Sequence, residues 1–194
     1  MIPGVILAGG RSQRMGGGDK GLLTLGPDSM LALVVARLRP QTSALLLNTN
    51  SPPALFAPLG LEIRADARLG RLGPLAGIHT AMLWGRELGA DAVLTSPGDS
   101  PFLPANLAAR LAEARGTGAA IAASGGRAHP VTGLWPCTLA EQLDAALASG
   151  MRRVRDFLAL IPHTLVEFPE DSAFWNINTP EDLARARAML AAQP

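Results

Sequence analysis

Between residues 2 and 115 the chain alternates short apolar runs with stretches of helical period, and this alternation narrows the possible folds more than any other feature. IPGVILA, SALLLN, LEIRAD and DAVLTS are apolar runs of strand length. Between and after them, Ser29 to Arg39, GPLAGIHTAMLWGREL and PANLAARLAEAR have the period of helices. Asp28 or Ser29 caps the first of these helices and Pro40 lies just past its end, while Pro74 sits in the first turn of the second. NTNSPP stops the second strand and SPGDSPFLP breaks the fourth. Strands separated by helices pair in parallel through right-handed crossovers, so the expected class is α/β with a mostly parallel sheet. After residue 116 the pattern changes. GAAIAAS and HPVTGLW predict two strands joined by the tight turn GGRA, a hairpin that adds antiparallel pairing. Helical segments Thr138 to Ala148 and Met151 to Leu160, a late strand HTLVEF and a closing helix TPEDLARARAML follow. Thr179 with Asp182 forms a capping box and Pro180 takes the first helical position.

Composition bounds the function. A chain of 194 residues is expected to form one domain, burying roughly 70% of the surface its unfolded form exposes. The 48% hydrophobic content and 17% charge agree with a globular protein. A net charge of +1 gives no reason to expect a nucleic-acid or membrane-surface partner. The single cysteine, Cys137, excludes an intrachain disulfide and a cysteine-cluster metal site. No apolar run approaches the about 18 residues of a membrane span. The apolar start MIPGVILAGG is too short for a secretory leader and has no charged residue before it, so a cytoplasmic protein is expected.

Ligands bind parallel sheets beyond the carboxyl ends of the strands. The informative segments lie at such ends: the glycine-rich LAGGRSQRMGGGDKG (7–21), Asn48, Asp66, SPGDSP and NINT. Glycines let successive amide N–H groups point at an anion, and Arg11, Arg14 and Lys20 add positive charge, the signature of a loop that handles phosphates. The stretch is not a Walker loop, because the chain contains no Gly-Lys pair. It formally matches a dinucleotide fingerprint at Gly16, Gly18 and Gly21, but those glycines begin about nine residues after the strand instead of at its end. Rare residues cluster here too. Lys20 is the one lysine among 17 basic residues, and of the five asparagines four form the pairs Asn48/Asn50 and Asn176/Asn178.

LAGGRSQRMGGGDKG resembles the nucleotide-binding signature of the molybdenum cofactor guanylyltransferases, the MobA family. GPLAGI, GDSPFLP, HPVTGLW and FWNINTPEDL resemble further segments of that family in the same order, over nearly the whole chain. The resemblance implies a single three-layer α/β/α domain with a Rossmann-like nucleotidyltransferase sheet of the nucleotide-diphospho-sugar transferase type. It implies a nucleotide-binding half at about residues 1–115 and an acceptor-binding half at about 116–194. It also implies transfer of GMP from GTP to the terminal phosphate of molybdopterin, with Mg²⁺ as cofactor and release of pyrophosphate. Other cofactor-biosynthesis proteins or a recipient molybdoenzyme are possible partners. One departure is Asp28, in LGPDSML, where the family usually carries a basic residue.

Nucleotidyl transfer needs cations on the triphosphate, a carboxylate for the metal and a shaped base pocket. Arg14 and Lys20 are the candidates for the phosphates, the ammonium as a point charge and the guanidinium as a fork. Asp99 is the candidate metal ligand; from spacing alone it reads equally well as a turn aspartate bonding its own backbone. By resemblance, Leu7, Ala8 and Gly9 with Asn48 and Asp66 form the nucleotide site, where carboxylate and amide groups can read the N1–H, N2–H₂ and O6 of guanine. Asn48 also reads as a strand stop. The start of the helix at GPLAG can place amide N–H groups near the same pocket. His129, Asn176 and Asn178 are weaker candidates for the acceptor, His129 reading more readily as a residue leading into a strand before Pro130. Trp135 and Trp175 fit core packing better than stacking on a pterin, and His79 and His163 read as structural. The rivals are a cytidylyltransferase for the same pterin, a sugar-1-phosphate nucleotidyltransferase and a non-catalytic module binding GTP and pterin. The DKG and GPLAG segments favour the guanylyl branch.

Overall fold

The computed structural model describes residues 2–8, 20–70 and 72–191. Its first half runs β1 (Ile2–Leu7), a short hairpin β2 (Thr24–Leu25) and β3 (Asp28–Ser29), α1 (Met30–Leu38), β4 (Thr42–Asn48), β5 (Glu62–Arg64), α2 (Pro74–Glu87), β6 (Ala92–Pro97) and α3 (Leu107–Ala114). The second half runs β7 (Ala119–Ser124), β8 (Arg127–Pro136), α4 (Ala140–Ala148), α5 (Val154–Leu158), β9 (His163–Phe168) and α6 (Pro180–Ala191). Among the described residues seven strands form the main sheet in the order β5-β4-β1-β6-β8-β7-β9. β8 alone runs against its neighbours, so the sheet is mostly parallel with one antiparallel insertion, as the alternation and the later hairpin predict.

Period-two alternation sorts the strand residues into two cores. Val5, Leu46 and Val93 pack with Leu75, Ile78 and Met82 of α2 and Leu143 and Leu147 of α4 on one face. Ile6, Leu47 and Leu94 pack with Val34 and Leu38 of α1 and Leu107 and Leu111 of α3 on the other. Consecutive residues therefore face opposite layers, giving the three-layer α/β/α arrangement. A smaller cluster of Leu25, Met30, Ile177 and Ala186 fastens α6 over the β2–β3 hairpin. Trp135 is fully buried and its indole N–H donates to Thr95 Oγ1 at 2.8 Å, so it belongs to the core.

Most element ends follow local chemistry. Ser29 caps α1, its Oγ accepting from Ala32 N–H at 3.1 Å. The capping box before α6 forms: Asp182 Oδ2 accepts from Thr179 N–H at 3.0 Å and Thr179 Oγ1 accepts from Asp182 N–H at 3.1 Å. The hairpin turn is tighter than GGRA. It is Gly125 and Gly126 alone, at φ 54° and 73°, the left-handed pair that a two-residue turn between twisted strands requires, and β8 therefore begins at Arg127. Residues 53–59, unassigned in the sequence, form a 3₁₀ helix (Pro53–Leu59) pinned by buried Phe56; prolines at 53 and 58 prevent a longer α-helix. The helix expected over 151–160 contracts to α5, because residues 151–153 are not helical and Arg153, just before Val154, is extended. No helix among the described residues is long and apolar enough to cross a membrane.

Candidate functional site

The central strands deliver the candidates side by side. The ladder pairs Leu7 with Asn48 on one side and with Pro97 on the other. Just beyond, Ala8 N–H donates to Asn48 O at 2.9 Å and Gly98 N–H donates to Leu7 O at 3.0 Å. Ala8 N–H is thus spent on the sheet, and what Leu7 and Ala8 offer a ligand is their apolar surface and spare carbonyl lone pairs. Gly9 and Arg14 lie outside the described residues.

On the β4–β5 side the groups interlock. Asn48 Nδ2 donates to Asp66 Oδ1 at 3.1 Å and Asn50 Nδ2 donates to Asp66 Oδ2 at 2.7 Å. Asp66 N–H returns a bond to Asn50 Oδ1 at 3.0 Å. Both carboxylate oxygens are engaged, yet each retains a lone pair for a further donor. Helix α2 closes on this network through Gly77. A Cβ there would stand 2.5 Å from Asn48 Oδ1 and 3.0 Å from Leu7 Cδ2, so the second glycine of GPLAG permits a contact that no side chain would.

On the β6 side a charged knot joins segments distant in sequence. Lys20 Nζ lies 2.6 Å from both Asp99 Oδ2 and Asn178 Oδ1. The segments carrying Asp99 and Asn178 run together: Ile177 N–H donates to Asp99 O at 3.0 Å and Ser100 Oγ donates to Asn176 Oδ1 at 2.9 Å. Asp182 holds Asn178 by accepting its N–H at 2.9 Å. That bond, with those from Thr179 and the field of Lys20, lowers the Asp182 pKa below the ordinary carboxylate value. Asp99 Oδ1 is buried and has no hydrogen-bond partner among the described residues. A buried carboxylate oxygen without a donor is costly unless a ligand completes it.

Beside the knot opens a cleft of about 630 Å³ between the β7–β8 hairpin and residues 171–182, lined in part by Arg127, His129, Arg155, Trp175, Asn176 and Asn178. His129 Nε2 is 2.8 Å from Ser124 Oγ and its ring stacks on Phe174 at 4.7 Å. Burial, with help from the charge of Arg127, lowers its pKa below the usual histidine value, so the ring is neutral near pH 7. Trp175, unlike Trp135, is half-buried on the cleft wall, under the guanidinium of Arg185 at 4.8 Å. His79 is buried in α2 and His163 lies at the exposed start of β9, both away from the knot.

Residues 4–165 match the family described as MobA-like NTP transferase domain. The chain belongs to that family. It is 46% identical over 187 residues to a protein of Cereibacter sphaeroides named molybdenum cofactor guanylyltransferase, covering 96% of each chain. It is 47% identical over 192 residues to a protein of the same name from Rhodopseudomonas palustris strain BisB5, covering 95% of this chain and 91% of that one. Among solved structures, molybdopterin-guanine dinucleotide biosynthesis protein A from Archaeoglobus fulgidus superposes with a TM-score of 0.79 at 22% identity, over 99% of this chain and 100% of that one, a likeness of fold.

Within this MobA-like fold Lys20, Asp99, Asn176 and Asn178 come together, Asn48 joins Asp66, and His129 stands across the cleft. The sequence reading missed Arg127, Arg155, Asn50 and Asp182 as site groups. The asparagine pairing pointed at Asn50. The two arginines lay in a turn and a helix with nothing local to set them apart from solvated charge.

Proposed function

We propose that this chain transfers GMP from GTP to the terminal phosphate of molybdopterin and releases pyrophosphate. The observation that carries the reading is the convergence of Lys20, Asp99 and Asn178 at the carboxyl ends of the sheet, beside a cleft walled by Arg127 and Arg155. The near-full-length identity of 46% to proteins named molybdenum cofactor guanylyltransferase supplies the donor and acceptor.

The orphaned Asp99 Oδ1 fits a divalent ion that arrives with the triphosphate. Among the described residues no three His, Cys, Asp or Glu side chains gather as an all-protein metal cage. A lone carboxylate suits Mg²⁺, which keeps waters and substrate phosphate oxygens as most of its ligands. Bound by Asp99, Mg²⁺ would withdraw charge from the phosphate oxygens. Lys20, released from Asp99 as the triphosphate enters, neutralises charge on the departing pyrophosphate together with Arg14. The acceptor phosphate is already an anion, so its oxygen attacks the α-phosphorus in line without a general base. The bond from that phosphorus to the bridging oxygen breaks, and its electron pair leaves with pyrophosphate. A neutral His129 fits this chemistry as a wall of the acceptor cleft. Asp66, held by Asn48 and Asn50, accepts the guanine N1–H and N2–H₂. The nucleotide half then spans about residues 1–115 and the acceptor half about 116–194, acting in the cytoplasm.

The test is the melting temperature with GTP, CTP, ATP and UDP-sugars, with and without Mg²⁺, followed by pyrophosphate release on adding molybdopterin. A ligand at 100 times its Kd adds roughly 2.7 kcal/mol of stability. Selective stabilisation by GTP and GTP-dependent pyrophosphate release are expected. A preference for CTP, or release without molybdopterin dependence, sinks the proposal.

A further inference from the structure

Asp66, Ala67 and Arg68 are tied, one after another, to three different parts of the molecule. Asp66 is held by Asn48 and Asn50 at the end of β4. Ala67 N–H donates to Thr80 Oγ1 of α2 at 2.9 Å, and that hydroxyl donates in turn to Ala76 O at 2.9 Å. Arg68 reaches across to α4, where its Nε bonds Asp144 Oδ1 and its Nη2 bonds Asp144 Oδ2 at 2.7 Å, a two-point fork. His79 of α2 faces the same carboxylate, its Nε2 3.6 Å from Asp144 Oδ1, and burial keeps that ring neutral near pH 7.

The loop has little else to hold it. Ala65, Ala67, Leu69 and Gly70 are exposed, Leu69 by 98%, and Gly70 lies at φ 104°. A segment that buries so little apolar surface is positioned by its polar ties, and among the described residues the Arg68–Asp144 fork is the tie that reaches beyond β4 and α2, to α4. Its charges are 34% and 42% exposed, so an isolated pair of this kind contributes little to global stability. Its geometric contribution is larger. A bidentate guanidinium sets both distance and plane, which a single-point contact does not.

We infer that the Arg68–Asp144 fork is a positioning clamp that fixes the angle of the 65–70 loop, and through it the discrimination of guanine from a purine that lacks the exocyclic amine. The inference rests on the reading of Asp66 as the group that meets the guanine edge. Arg68 touches neither substrate; it acts through Asp66.

Kinetics with GTP and with inosine triphosphate, which lacks the 2-amino group, test it on the full-length protein. Equilibrium binding of both nucleotides to the same preparations accompanies the kinetics. Asp66→Asn is the reference and is expected to collapse the preference for GTP. Arg68→Ala and Asp144→Asn are each expected to raise the KM for GTP about fivefold or more, with kcat within about twofold, and to shrink the GTP preference toward that of Asp66→Asn. Arg68→Lys, keeping the charge without the fork, is expected to fall between wild type and Arg68→Ala. The double variant Arg68→Ala/Asp144→Asn is expected to behave as either single, because both remove one interaction. If Arg68→Ala lowers the melting temperature yet leaves the GTP preference intact while Asp66→Asn abolishes it, the clamp is overturned and the Asp66 assignment stands. If Asp66→Asn leaves the preference unchanged, that assignment fails and the inference falls with it.

Discussion

The two sides of the site are built on opposite principles. Around Asp66 the polar groups answer one another: each carboxylate oxygen takes one asparagine amide and keeps a lone pair, and a glycine lets α2 press against Asn48. Around Asp99 one lysine is shared by a carboxylate and an amide, and the second carboxylate oxygen is buried without a donor among the described residues. The first arrangement is complete without a ligand and suits recognition, because preorganised groups lose little freedom on binding. The second is left electrostatically unfinished, as suits a place where charge must arrive and leave. Local incompleteness of this kind costs stability that the rest of the fold offsets.

The largest break in this comparison is Asp99→Asn. Pyrophosphate release should fall on the order of 10²–10³-fold or more, while the melting temperature changes little, because asparagine keeps an oxygen for Lys20 and the ion pair it replaces is partly exposed. Unchanged turnover would take Asp99 out of the mechanism, and a large loss of stability would show that the knot is a structural ion pair. On the opposite side, Gly77→Ala forces a Cβ to 2.5 Å from Asn48 Oδ1. Overpacking of this kind costs about 1–3 kcal/mol, a fall of several degrees for a domain of this size, with weaker GTP binding and a kcat near wild type. A wild-type melting temperature would show that α2 yields without disturbing Asn48.

Smaller effects sharpen the picture. Asp182→Ala removes the acceptor for both Asn178 and Thr179 N–H groups. Loss of such a cap costs about 1 kcal/mol, and turnover should fall further than that, because Asn178 loses its hold beside Lys20; a stability loss with full turnover would separate the cap from the knot. The smallest effect is on acid stability. Burial lowers the His79 pKa below its ordinary value of about 6.5. Protons therefore bind the unfolded chain preferentially, so this contribution is fully present above the ordinary value and diminishes as pH falls through it toward the folded pKa. His129 is shifted in the same direction, also by burial. Wild-type melting temperature should fall from pH 7 to pH 5, and less steeply in His79→Asn; an identical slope would remove His79 from the account.

Much of this was legible before any coordinates. The order of strands and helices, the capping of α1 and α6 and the hairpin after residue 116 follow from local patterns whose physics acts over a few residues. The rare residues were informative for a different reason. Lys20 and the two asparagine pairs stand out against a chain rich in arginine, alanine and leucine, and each makes a side-chain bond at the carboxyl end of the sheet: Asn48 and Asn50 to Asp66, Asn176 to Ser100, Asn178 to Lys20. Arg68, Arg127 and Arg155 were not legible, because one arginine among sixteen carries no local mark of its partner.

By itself the sequence determined the fold class and the segments that end at the carboxyl edge of the sheet, since periodicity, capping and turn chemistry are short-range properties of a chain. It also marked the residue types that nucleotidyl transfer needs. The tertiary structure alone decided which of them meet. Lys20 lies 79 residues from Asp99 and 158 from Asn178 in the chain, and Arg68 lies 76 from Asp144. Those separations are closed by the packing of helices on both faces of one sheet. Whether each oxygen of a carboxylate there meets a donor, like those of Asp66, or one is left without any among the described residues, like Asp99 Oδ1, depends on which donors that packing brings within about 3 Å.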